Sequence, residues 1–110
     1  MTTPRPSAPP ANLDPLILNE ALELALEWGE CFMKPTQPRL AKLHGGLSET
    51  QLNAYDAAAR VVMHIAFAML YESPDADREA LERVVHADHP WVNSRNMACL
   101  HTQGVYFAHK

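Results

Sequence analysis

The run from Ser48 to Glu72 constrains the fold more than any other part of the sequence. Ser48 suits a helix N-cap, Gln51 three positions on completes a capping box, and Leu47 and Leu52 are spaced as a hydrophobic staple. Leu52, Tyr55, Ala59, Val62, Met63, Ala66, Met69 and Leu70 then keep a helical period until Ser73-Pro74 stops it. A helix this apolar on one side requires partners to cover it. Alanines at 54, 57, 58, 59, 66 and 68 let those partners approach closely, which predicts this helix at the centre of a bundle.

The flanking segments supply the partners. Asp14 and Pro15 pair as N-cap and first helical residue, and the apolar positions after them predict a first helix running to about Met33. Within it Glu20, Glu23, Glu27 and Glu30 recur at spacings of 3, 4 and 3 and form one acidic line, while nearly everything else is apolar. A narrow polar stripe with apolar flanks on both sides predicts packing against several neighbours or against another subunit. Pro35 breaks this helix, and a short second one is expected from Pro38 to Gly45-Gly46. Its Lys34, Arg39 and Lys42 read as a salt-bridged corner facing the acidic line.

A fourth helix is expected from Pro74 to about Ala87, with Asp75, Asp77 and Glu79 at its positive end. Asn93 caps a last helix, with Val92 and Met97 as a second staple and Met97, Leu100, His101, Gly104 and Phe107 on one face. Gly104 and the run Val105-Tyr106-Phe107 leave residues 104–110 open between helix and extended chain. The expected fold class is therefore all-α, a compact bundle of four to five helices, orthogonal or up-down.

Residues 1–12 read MTTPRPSAPPAN, with prolines at 4, 6, 9 and 10 and no hydrophobic periodicity. That predicts a disordered Pro-rich N-terminal tail ahead of a single helical domain over 13–110. At 110 residues and 47% hydrophobic, the chain has material for one core but not for a core plus a large enclosed active site. Function then belongs on a surface or at a subunit interface. Lys+Arg of 9 against Asp+Glu of 13 gives a net charge of -4, which argues against a nucleic-acid partner. The most apolar run, Val61 to Tyr71, contains His64 and is about half a bilayer span, so no membrane or targeting segment is expected and the protein reads as cytoplasmic. Cys31 and Cys99 form one pair at most and read as reduced thiols.

The chemistry-bearing residues fall short of any complete catalytic set. Histidines 86, 89, 101 and 109 crowd the last part of the chain, which raises a metal site at His86 and His89 as an alternative. A structural zinc site needs a second close ligand pair, and no CxxC or HExxH supplies one. Di-iron chemistry needs Glu-x-x-His, and no glutamate has a histidine three residues on. Cys99 and His101, two apart on a helix, point to opposite sides and make no dyad alone. With Gly 4, neither a P-loop nor a dinucleotide fingerprint can be written. No catalytic set and no cofactor is expected.

Weaker binding candidates remain. Asp56, Arg60 and His64 recur every four residues as a polar stripe on an apolar helix, either an ion pair with an edge histidine or the wall of a small polar pocket. Trp28, Trp91 and Tyr106 are large aromatics with polar handles, of the type that shows at interfaces. His101 joins the set if it converges with His64 and Cys99 between the third and last helices.

Two segments, Glu27-Trp-Gly-Glu-Cys-Phe-Met-Lys-Pro-Thr-Gln-Pro-Arg-Leu40 and Trp91-Val-Asn through Gln103-Gly-Val-Tyr-Phe-Ala-His-Lys110, resemble those of a family of short, uncharacterised bacterial helical proteins. The resemblance covers about a third of the chain and implies a compact stand-alone bacterial domain, with no catalytic residues to transfer. The expected function is a self-associating module, a homodimer contacting an unidentified protein partner, with no nucleic acid and no membrane. The competing expectation is a small-ligand, metal-binding or catalytic protein with a His-lined pocket.

Overall fold

Ser48 Oγ accepts the Gln51 N–H at 3.1 Å and Gln51 Oε1 accepts the Ser48 N–H at 2.8 Å, so the capping box opens the long helix where the sequence places it. In the computed structural model, which describes residues 13–27 and 34–109, five helices follow one another. They are α1 Pro15–Ala25, α2 Gln37–Leu43, α3 Glu49–Glu72, α4 Arg78–Asp88 and α5 Ser94–Ala108. No strand occurs among the described residues, and the fold is the all-α bundle expected. The tail over 1–12 and the segment with Trp28 and Cys31 lie outside the described residues.

α3 touches all four other helices, as its alanines predict. On one side Leu22, Val62, Ala66, Leu70, Leu81 and Leu100 form the larger core cluster. A second cluster gathers Leu18, Ala21, Leu40, Tyr55 and Ala58 where α1, α2 and the first half of α3 meet. Trp91 packs against both clusters from the turn between α4 and α5.

Two boundaries differ from the sequence reading, and a third is one that the sequence left open. α1 ends at Ala25, not near Met33, with Leu26 as its C-cap. Its open carbonyls are taken by distant donors: Arg39 donates to the Leu24 carbonyl at 2.9 Å, and the Gln103 amide donates to the Leu26 carbonyl. α4 begins at Arg78 instead of Pro74, because the Ala76 N–H closes a turn onto the Ser73 carbonyl at 3.0 Å and Asp77 then caps the helix through the Ala80 N–H. α5 stays helical through Gly104 to Ala108. A Cβ at Gly104 would run into Leu70 Cδ1 and lie 3.3 Å from Phe67, so glycine is there to let α5 lie against α3.

The shorter α1 also changes the argument for a partner. Leu18, Ala21, Leu22, Ala25 and Leu26 are covered by the chain's own helices, and Leu16 is the large apolar side chain of α1 left exposed. Among the described residues the other exposed large hydrophobics are Leu43, Val84, Tyr71 and Tyr106. No helix among the described residues is long and apolar enough to cross a membrane.

Candidate functional site on the last helix

α5 is set against α1 by a cluster of amides. The Asn19 side chain donates to the Trp91 carbonyl at 2.7 Å and accepts the Asn93 N–H at 2.9 Å. Asn96, itself buried, donates to the Asn19 backbone carbonyl at 2.9 Å and to its side-chain oxygen at 3.0 Å. Asn93 is also the N-cap of α5, accepting the Asn96 N–H at 2.9 Å. Buried amides carry a desolvation cost unless paired, and here each pairing fixes where α5 begins relative to α1.

Beyond that cluster a groove of about 320 Å3 lies between the C-terminal end of α1 and α5. Leu26 and Ala98 give it an apolar floor, and Glu23 with Arg95 and Glu27 stand on its rim. The rim charges are neutralised in pairs: Arg95 meets Glu23 at 2.9 Å, and Glu27 meets Arg39 at 2.8 Å. Cys99 and Thr102 line the α5 wall, and the Cys99 thiol is free and exposed. Gln103, only 2% exposed, lies deeper in that wall. Its nitrogen is held by the Leu26 carbonyl, which fixes the amide orientation, and its Oε1 is buried with no hydrogen-bond partner.

The exposed stripe of α5 continues from Arg95, Cys99 and Thr102 to Tyr106, at helical spacing. Tyr106 packs on Phe107 with ring centroids 5.5 Å apart, and Phe107 meets Phe67 of α3 edge to face at 5.7 Å. Tyr71, one turn beyond Phe67 on α3, is 74% exposed, and Tyr106 is 52% exposed. Phe67, Phe107 and Tyr106 thus form an aromatic shelf where α5 lies against α3, with the exposed Tyr71 one helical turn along α3 from it.

The residues singled out from sequence disperse around this arrangement. Asp56 accepts from Thr36 Oγ1 at 2.7 Å and pairs with Arg60 at 3.5 Å, while Arg60 donates to the Lys34 carbonyl at 3.0 Å. Two members of the predicted stripe thus fasten the chain ahead of α2 onto α3, and His64 stands apart, exposed. His101 donates from Nε2 to the Ala76 carbonyl at 2.8 Å, pinning the α3–α4 turn. Neither His64 nor His101 lines the groove that Cys99 lines, so the structure does not bring the three together. Trp28 lies outside the described residues.

His86 and His89 serve different surroundings. His86 Nε2 donates to the Val92 carbonyl at 2.9 Å. His89 is fully buried, its two ring nitrogens have no hydrogen-bond partner, and its ring stands edge-on to Trp91 at 6.0 Å. Burial pushes the His89 pKa below the ordinary 6.5, against the opposing pull of the Asp88 charge. Among the described residues no group of three or more His, Cys, Asp or Glu side chains is placed to hold a metal ion.

Sequence reasoning missed Asn19, Asn96 and Gln103. A signal existed: Asn96 and Gln103 share the buried face of α5 with Leu100, and amides on an apolar face require partners. Comparison with protein-family models, with curated proteins and with solved structures finds no match to this chain.

Proposed function

We propose that the chain is a non-catalytic helical module that acts in the cytoplasm by pairing with a second copy of itself. The observation that supports this is the aromatic shelf. Tyr71 and Tyr106 are large aromatic side chains that stay more than half exposed near the Phe67–Phe107 contact, and tyrosine is enriched where one protein surface meets another. A second copy is the favoured occupant because a two-fold contact needs only one patch that fits itself, and aromatic rings satisfy this by packing edge to face.

An interface of ordinary size covers about 800 Å2 on each partner, more than the four rings offer, so the neighbouring exposed positions His64, Ala68 and Glu72 of α3 belong to the contact. The test is gel filtration with in-line light scattering on the wild type, Tyr71→Asp, Tyr106→Asp and Leu16→Asp. The shelf variants elute as single chains and Leu16→Asp, distant on α1, keeps the wild-type mass. A wild type that is monomeric at every concentration, or shelf variants that keep a dimeric mass, overturns the reading.

A further inference from the structure

We infer that two copies pair through α3 itself, crossing antiparallel near Ala68 so that His64 of each copy sits against the partner's Glu72. This register rests on the pairing proposed above and specifies it residue by residue.

Between Arg60 and Glu72, α3 carries no Asp, Glu, Lys or Arg, and the positions of that stretch open to water are His64, Ala68 and Tyr71. A helix face left to solvent ordinarily carries charge, as α4 does with Arg78, Glu79 and Arg83. His64, Ala68, Tyr71 and Glu72 share one face of α3, and Ala68 stands midway between His64 and Glu72, four residues from each. Among the described residues neither His64 nor Glu72 has a hydrogen-bond or ion-pair partner.

That spacing selects the direction of a two-fold contact. Parallel copies set His64 on His64 and Glu72 on Glu72, acid against acid. Antiparallel copies related by an axis near Ala68 bring together levels about 6 Å to either side of it, so each His64 enters the space between the partner's Ala68, the partner's Tyr71 and the partner's Glu72. There an imidazole N–H donates to the partner's Glu72 carboxylate, once on each side of the axis. Ala68, the smallest side chain of the face, lets the helices approach where they cross.

The test is the dissociation constant of the pair, measured on the full chain by sedimentation equilibrium at neutral pH. His64→Glu sets carboxylate against carboxylate twice in each dimer and is expected to weaken pairing about fivefold or more, the scale of two exposed charge contacts. His64→Glu with Glu72→Lys rebuilds the contact with its polarity reversed and returns the constant to within about twofold of the wild type. His64→Glu with Glu49→Lys, the same charge change at the far end of α3, stays weak. A His64→Glu chain that pairs like the wild type, no rescue by Glu72→Lys, or equal rescue by Glu49→Lys overturns this register and leaves the pairing standing. A wild type that never pairs overturns both. All three positions are exposed, so the variants alter the contact and not the core.

Discussion

The side-chain oxygen of Asn19 accepts the backbone N–H of Asn93 at 2.9 Å, joining the first helix to the cap of the last across 74 residues of chain. The same side chain holds the Trp91 carbonyl at 2.7 Å. Asn19→Ala leaves both backbone groups without that partner, and we predict a loss of about 2 kcal/mol. Urea unfolding checks this: the midpoint falls in Asn19→Ala, and an unchanged midpoint shows that water replaces the amide at no cost.

Gly104 makes the opposite kind of prediction. Alanine normally stabilises a helix interior by about 1 kcal/mol over glycine. Here the added methyl meets buried Leu70 and half-buried Phe67, and overpacking costs about 1–3 kcal/mol. Gly104→Ala should therefore lower the thermal midpoint slightly and Gly104→Val strongly. A Gly104→Ala variant more stable than wild type would show that α5 can slide off α3 freely.

These two residues mark what the sequence revealed and what it could not. Three caps were legible because a cap is local: Asp14, Ser48 with Gln51, and Asn93 all act through N–H groups two or three residues on, whereas Asp77, the cap of α4, was hidden behind the turn at Ser73-Pro74. The end of α1 was not legible, since the donors that take its carbonyls come from Arg39 and Gln103, 15 and 77 residues away. Gly104 looked like a helix breaker because its reason for being there, the Leu70 side chain, belongs to another helix. The polar stripe Asp56, Arg60 and His64 was real as a spacing, yet Thr36 and Lys34 took the first two for structural work.

His89 sets a pH dependence of definite sign. Its folded pKa lies below 6.5, so as the pH falls through that value the unfolded chain takes up the proton and the folded chain does not. Stability contributed by the neutral ring is present above pH 6.5 and is lost as the pH falls toward the depressed folded value, by at most about 1.4 kcal/mol per pH unit. His89→Leu removes a buried ring that has no polar partner, so it should be near neutral at pH 7.5 and shallower in its acid loss. Urea midpoints at about pH 7.5 and 5.5 for both proteins give the comparison, and parallel slopes would remove His89 from the account.

Net charge acts on association in the other direction. Protonating the five histidines other than buried His89 carries the formal charge of the folded chain from -4 to +1, through zero in mildly acidic solution, near the sequence pI of about 5.8. Repulsion between copies falls over that range, so scattering should rise from about pH 8 to 6 while the fold is retained. A flat trace means that charge does not limit the contact.

The most direct test of the pairing is sedimentation equilibrium of the wild-type chain over a dilution series at neutral pH. We predict a reversible shift from the 12.3 kDa of one chain to twice that mass as concentration rises, absent in Tyr71→Asp. A mass that stays at that of one chain throughout contradicts it.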